Sequence, residues 1–515
     1  MNKELNKNIY RGLLLISFLA INAAILYGIS AVLSYLNTGA DKSSILHLQA
    51  KTNEAYLPKI TWESLQNRGR PMEKQTLQEI EKDYVSAWYV RSLAYKSNIT
   101  FGIADYYTDS ARVKLYRTIG LNKKTKTTVN STTLEHHPTL DFYSLDGTLV
   151  VFTDRNVLSY EETLIDDEVV FSKKDTTSYK VIMLLEDGFW RIRHLVAIDD
   201  QKEPIKSNHK ILVKEDIENI KGLNYYPKEN PWNMYGVVFN DSVIAQDFKI
   251  IKNMGLNTAR IFVPYQGFGK AKIHPEKIEK LRKTLDAAEE NNIKIVVTLF
   301  DFYGDYDIID WTLTHRHAET IVGTFKDHKA ILAWDVKNEP DLDFESRGKE
   351  KVLAWLEQMV STIKIWDTNH PVTIGWSSPE AAVNLGAEVD FVSFHYYKKV
   401  LDFKKSYLAL KNAVPNKPLV LQEYGLSSYS GIWNAFTGSQ KKQAKYYQKM
   451  QAVLHEEKTP YLFWTLYDFE KIPTSVVGKL PWRKKPQEYY GCIDKDGKEK
   501  ASMKVLSVNK IEKGY

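Results

Sequence analysis

The feature that most constrains this chain is a rhythm in its C-terminal half. Eight short apolar runs follow one another: "KGLNYY" (221–226), "TARIFV" (258–263), "IKIVVTLF" (293–300), "ILAWDV" (331–336), "PVTIGW" (371–376), "DFVSFHYY" (390–397), "PLVLQEYG" (418–425) and "YLFWTLYD" (461–468). Between them lie longer stretches at helical spacing, such as "DSVIAQDFKIIKNM", "PEKIEKLRKTLDAAEENN" and "VLAWLEQMVSTIKIW". A continuous apolar run is the mark of a strand covered on both faces, and its alternation with helices predicts a parallel sheet. Eight such units in about 285 residues predict a closed α/β barrel, the (β/α)8 or TIM barrel. An open doubly wound sheet would carry a Gly-rich phosphate loop after its first strand; "NYYPKENPW" is nothing of that kind.

In such barrels chemistry sits at the carboxyl ends of the strands. The first run ends in Asn224, Tyr225 and Tyr226, and the second carries Arg260. The fourth ends in Asn338 and Glu339, the fifth near Trp376, and the sixth in His395, Tyr396 and Tyr397. Glu423 and Tyr424 end the seventh, and Trp464 and Tyr467 belong to the eighth. Two carboxylates, a cation, an amide and many aromatics suit glycosidic bond cleavage. One carboxyl must be protonated to assist the leaving oxygen, and the other must be ionised to attack or stabilise the anomeric carbon. Aromatic faces bind sugar rings, and amides fix their hydroxyls. Acyl transfer would want a nucleophile elbow and phosphoryl transfer a Gly-rich loop; neither is present. Taken singly, Glu339 also reads as an exposed turn residue and Glu423 as a helix-start charge.

The residues around these ends carry a specific resemblance. "KNEP" after the fourth strand, "QEYG" after the seventh, "GLNTARIF" at the second, "SFHYY" at the sixth and the closing "YYGCIDKDGKEKAS" resemble clan A glycoside hydrolases, family 5 and family 2-like members, over about residues 220–500. The resemblance implies retaining β-glycosidase chemistry without a cofactor or metal. It makes Glu339 the general acid/base and Glu423 the nucleophile. It also implies substrate-binding roles for Asn338 (on the sugar 2-OH), Arg260 and Tyr397 (holding Glu423), His395, Trp464 (a sugar platform) and Asn224. One segment departs from the pattern: many family 5 cellulases have a His after the third strand, where this chain reads "LFDFYGDYD". That is closer to mannanase-like members and leaves the sugar open.

The N-terminus carries the other strong signal. "GLLLISFLAINAAILYGISAVLSYLNTGA", 12–40, has no charge, and Lys3, Lys7 and Arg11 precede it. The length exceeds the roughly 7–15 apolar residues of a signal-peptide core and reaches the roughly 20 of a membrane span. The flanking charges predict a cytoplasmic N-terminus, a single-pass anchor in the cytoplasmic membrane, and everything beyond on the periplasmic or extracellular side. Residues 41–59 read as a stalk. From 60 to 205, a helical stripe with Leu77, Ile80, Tyr84, Trp88 and Leu93 precedes alternating strands, with hairpin signals at Asp146-Gly147 and Asp187-Gly188. That order predicts an α+β domain. "VIMLLEDGFWRIRHL" resembles the nuclear-transport-factor-2-like (SnoaL-like) superfamily, a curved sheet around a long helix, which often serves in binding or assembly.

The expected division is therefore 1–40 anchor, 41–59 stalk, 60–205 α+β domain and 215–505 barrel. The expected partners are a polysaccharide or oligosaccharide substrate, the membrane through the N-terminal helix, and polysaccharide synthesis or export machinery. The dispersed charge of +6 offers no nucleic-acid groove. The single Cys492 excludes an internal disulfide and a cysteine-based zinc site. "HRH" at 315–317 falls on a helix, where adjacent side chains diverge, and reads as solvated surface. Trp311, Trp433 and Trp482 fall in predicted loops. Two rivals to hydrolysis stand at this point: transglycosylation to a sugar acceptor, and a silent barrel that binds glycan within an assembly complex.

Overall fold

The computed structural model describes residues 2–37, 55–199, 214–478 and 480–507. The helix Asn2–Asn37 contains the charge-free stretch Gly12–Ile29, none of it buried against protein. It is long and apolar enough to cross a membrane, a test that a signal sequence also passes. The expected stalk lies outside the described residues up to position 54.

The small domain is α+β. Strands β1 (Lys59–Ile60), β2 (Thr127–Tyr143), β3 (Leu149–Ile165), β4 (Glu168–Glu186) and β5 (Phe189–Ile198) form one sheet in that order. The helix Lys74–Ser97 packs across β2 and β5 and buries Ile80, Tyr84, Trp88 and Val90. Ile80, Tyr84 and Trp88 repeat at four-residue spacing, so they share the face turned to the sheet. Asp187 (φ 51°) and Gly188 (φ 80°) make the β4–β5 turn with two positive φ values, as a tight hairpin requires. Asp166 and Asp167 do the same between β3 and β4, a turn without glycine that the sequence pattern did not flag.

The barrel closes as β6 (Lys221–Asn224), β7 (Thr258–Pro264), β8 (Lys294–Asp301), β9 (Ile331–Asn338), β10 (Val372–Trp376), β11 (Val392–Tyr396), β12 (Leu419–Tyr424) and β13 (Tyr461–Phe463), with β13 paired in parallel to β6. All eight expected strands are present in order. The last is far shorter than its apolar run: it stops at Phe463, and Trp464 and Tyr467 lie beyond it. Three strand pairings shift register close to the carboxyl ends: between Phe262 and Pro264, between Thr373 and Gly375, and between Phe394 and His395. Such bulges re-aim side chains at a rim.

Two expectations about the barrel are overturned. His315 and His317 are buried, not solvated. His315 bonds Thr362 and packs edge-on to Trp366, while His317 lies between the carbonyls of Lys270 and Leu299. A helix wedged between barrel wall and neighbouring helix has little solvent face, which sequence spacing did not reveal. Trp311 is not in a loop. It opens the helix Trp311–Phe325, is fully buried, and meets Tyr160 of β3 at a ring-centroid distance of 4.5 Å. That contact, with Lys59–Glu319 (2.6 Å) and Lys96–Asp307 (2.8 Å), fixes the small domain against the barrel.

Candidate active site

The floor of the cleft is a buried ionic cluster. Arg260, on β7, is wholly enclosed. Its Nε and Nη2 donate to Asp335 Oδ2 at 3.0 and 2.6 Å, its Nη2 to Asn338 Oδ1 at 2.9 Å, and its Nη1 to Asn224 Oδ1 at 3.1 Å and Glu423 Oε2 at 3.4 Å. Asp335 also accepts from the Thr298 hydroxyl at 2.7 Å and from the backbone N–H of Gly375 at 2.9 Å. Such a cation holds its place only because every donor meets an acceptor. The strand beside it must come close: a Cβ on Gly375 would lie 2.8 Å from Arg260 Nη2 and 2.5 Å from Gln422 Oε1.

Above this floor stand the two glutamates. Glu339 directly follows β9 with φ 48° and ψ 51°, a left-handed conformation that costs a non-glycine residue on the order of 1 kcal/mol or more. Its N–H is held by the Gly375 carbonyl at 2.6 Å. Beyond it, Asp343 accepts from Tyr306 at 2.5 Å and lies 3.3 Å from Lys337 Nζ, which braces the turn. Glu423, near the end of β12, accepts from the Tyr397 hydroxyl at 2.5 Å and from Arg260. His395 lies between the two: its Nδ1 donates to Glu339 Oε1 at 2.8 Å and is 3.7 Å from Glu423 Oε2. The nearest oxygens of the pair are therefore no farther apart than those two lengths end to end, about 6.5 Å, against roughly 6.5–9.5 Å between carboxyl groups in inverting sites and about 5–5.5 Å in retaining ones.

The electrostatics couple these three groups. Burial pushes Glu423 up, with the nearby Glu339 charge adding to it, against the pull of His395, Arg260 and Tyr397. Burial also acts on Glu339, but the His395 hydrogen bond and charge, with Arg260 and Lys337, outweigh it and hold the carboxyl below its usual range. Burial opposes the charged form of His395, yet Glu423 and Glu339 raise it above the ordinary histidine value. Both directions favour the proton on His395 over Glu339.

The sequence-selected residues Glu339, Glu423, Asn338, Arg260, His395 and Tyr397 come together here. Asn224 does not face the cleft. It is wholly buried, with its amide N–H groups on the carbonyls of Gln422 and Phe463 and its side-chain oxygen on Arg260. It supports Arg260 rather than meeting a ligand directly. Trp464 stands in an aromatic wall with Tyr226, Trp232 and Phe469. Asp335, Trp232 and the Asp301–Tyr226 pair were not selected from sequence. Asp301 accepts from Tyr226 at 3.1 Å, and burial pushes it up to about 6. Asp335 sits three residues before Asn338 on the same strand, a polar residue in an apolar run, and that was the available signal. Among the described residues no cluster of His, Cys, Asp or Glu could hold a metal.

Residues 219–470 match the family model for cellulase, glycosyl hydrolase family 5. Over those residues, just under half of the chain, the barrel is similar to glycosyl hydrolase family 5. The chain is 30% identical over 175 residues to mannan endo-1,4-beta-mannosidase 5 of Solanum lycopersicum, covering 26% of this chain and 42% of that protein. It is 26% identical over 181 residues to a beta-glucuronidase of Chlorocebus aethiops, covering 32% of this chain and 27% of that one. The match thus spans less than half the length of either relative. Among solved structures, an exo-beta-1,4-mannosidase from Opitutaceae bacterium strain TAV5 superposes with a TM-score of 0.46 at 18% identity, over 57% of this chain and 59% of that one.

Proposed function

We propose that this glycosyl hydrolase acts on a β-linked oligosaccharide or polysaccharide by double displacement, with Glu423 as nucleophile and Glu339 as acid/base. The observation that carries the reading is the position of His395 within 2.8 and 3.7 Å of the two carboxylates. It caps the separation of their nearest oxygens at about 6.5 Å, which accommodates a retaining pair and reaches only the lower edge of the inverting range. The proton inventory is also right. Transfer along the His395–Glu339 hydrogen bond turns imidazolium and carboxylate into neutral imidazole and carboxylic acid. A sugar that displaces water from the cleft favours the neutral pair. The transfer removes both the Glu339 charge that raises Glu423 and the His395 charge that lowers it, and leaves Arg260 and Tyr397 to hold the remaining carboxylate ionised and aimed. Asn338, fixed by Arg260, presents its amide to the sugar, and Trp464 with Trp232 forms the apolar wall for the ring.

The charge-free helix and its basic flank support placing the barrel outside the cytoplasmic membrane on a single N-terminal anchor. An anchor favours a substrate that passes the membrane, such as a growing or exported polysaccharide. The test is turnover of aryl β-mannosides, β-glucosides, β-galactosides and β-glucuronides by the detergent-solubilised chain, with Glu339→Ala and Glu423→Ala in parallel. Loss of turnover in both, and azide rescue of Glu423→Ala to a product of inverted configuration, supports the assignment. Rescue of Glu339→Ala to an inverted product instead would exchange the two roles.

A further inference from the structure

An exposed aromatic patch lies on the catalytic end of the barrel but outside the cleft. Trp433 and Trp482 are 44% and 51% exposed, with ring centroids 6.0 Å apart. Ile432 and Phe436 beside them are 70% and 69% exposed. Trp433 lies in a 3-10 turn, Ile432–Asn434, after β12, the strand that carries Glu423, and Trp482 lies not in the expected loop but in the short helix Pro481–Gln487 after β13. The two segments are fastened together. The Ser427 hydroxyl donates to the Pro486 carbonyl at 2.5 Å, and Tyr429 packs on Tyr489 at 5.4 Å. The neighbouring Tyr490 reaches Tyr397, the residue that holds Glu423, at 6.1 Å. The two segments that carry the patch thus join the residues beside Glu423.

The same two segments are one-signed. Residues 424–455 and 471–487 contain no Asp or Glu, while the chain as a whole is nearly balanced, with 70 basic and 64 acidic residues. Lys441, Lys471 and Arg483 are exposed on these segments, and Lys485 is paired with Glu488 at 3.1 Å. Cations spaced among indole faces suit a ligand that offers both a sugar ring and a negative charge. A lipid surface also attracts basic and aromatic residues. Seated here, however, it would cap the loops through which a polymer must reach Glu423.

We propose that the Trp433–Trp482 patch is a distal subsite for an anionic polysaccharide, one that bears carboxylates along its chain. This deepens the functional reading above by naming the substrate's charge class, and it rests on that reading. The test uses the full chain in detergent micelles, with polygalacturonate, alginate and hyaluronan as acidic probes, neutral β-mannan and β-glucan as controls, and phosphatidylglycerol vesicles as a third arm. Wild type is expected to retain at least one acidic polymer, to release it as salt rises, and to bind the neutral polymers at least about tenfold more weakly. Trp433→Ala/Trp482→Ala and Arg483→Ala/Lys471→Ala are each expected to weaken that retention about tenfold or more. Both should leave kcat/KM on the best small aryl glycoside within about twofold. Equal binding of acidic and neutral polymers, unaltered binding in both variants, no binding of any acidic probe, or binding of vesicles alone would each overturn the proposal. Loss of aryl-glycoside turnover in the wild type would instead refute the hydrolase reading, so the two failures are distinguishable. The four positions are exposed, and circular dichroism of each variant separates misfolding from loss of the site.

Discussion

Replacing Asp335 asks whether the buried ion pair beneath the cleft is what aims Arg260. Asp335 accepts two contacts from the guanidinium, one from Thr298 and one from the Gly375 N–H, and both charged partners are shut off from solvent. With alanine there, Arg260 keeps only Asn224, Asn338, Thr298 and the longer contact to Glu423. Deleting one partner of a buried pair costs about 3–5 kcal/mol, because the other charge stays buried. At roughly 2–4 °C per kcal/mol for a domain of this size, the barrel's unfolding midpoint should fall by roughly 6–20 °C. The same change turns the whole Arg260 charge toward Glu423. That lowers the Glu423 pKa, so the acid limb of the kcat/KM profile should move to lower pH. Asp335→Asn keeps the volume and one acceptor oxygen, so it should lose less stability than alanine while moving the limb the same way. Calorimetry and a pH–rate profile on both variants decide. A stability loss below about 1 kcal/mol in Asp335→Ala, with an unmoved acid limb, would refute the view that Asp335 governs the cation.

Other outcomes follow from the same geometry. Glu339→Ala should lower kcat on poor leaving groups by about 100- to 10,000-fold, the usual worth of general acid catalysis, and much less on activated aryl leaving groups; steady-state kinetics on a leaving-group series checks this. His395→Ala should pull the alkaline limb of activity down toward the carboxylate range, because the proton held on the raised imidazole is lost; an unmoved alkaline limb would exclude it as the proton partner of Glu339. His315 and His317 are pushed down to about 3 and about 4 by burial. Their folded values lie below the unfolded one, so the stability they contribute is full above about pH 6.5 and falls as pH drops from there, by about 1.4 kcal/mol per unit for each. Denaturant unfolding between pH 7 and 4.5 should show that slope, reduced in a His317→Gln variant. Trp311→Ala should cost about 3–5 kcal/mol and loosen the small domain; hydrogen exchange in β3 reads the loosening, and unchanged protection there would contradict the docking role of the Tyr160–Trp311 contact.

Much of this molecule was written along one dimension. Continuous apolar runs separated by helical periods have one economical packing, a closed parallel barrel. Once the barrel is granted, the strands and their ends name Arg260, Asn338, Glu339, His395, Tyr397 and Glu423 from the sequence alone. The helical stripe of the small domain and its Asp187-Gly188 turn were equally readable, because caps, turns and burial periods are local properties of the chain. What failed locally failed for a shared reason. The final strand is cut short at Phe463, the histidines of "HRH" are buried, and Trp311 opens a helix under the small domain, each decided by a neighbour distant in sequence.

The active site itself divides along that line. The sequence by itself determined which side chains stand on the rim, since a strand's last residues must lie at its carboxyl end. Only the tertiary structure decided what those side chains are electrically. Asp335, a lone acidic residue in an apolar run, neutralises Arg260 because two strands place them 2.6 Å apart. His395, which follows a register shift and lies between two glutamates, lowers the pKa of both. Spacing along the chain fixes identity and order, whereas a pKa depends on burial and on charges within a few ångströms, and those distances exist only once the barrel has closed.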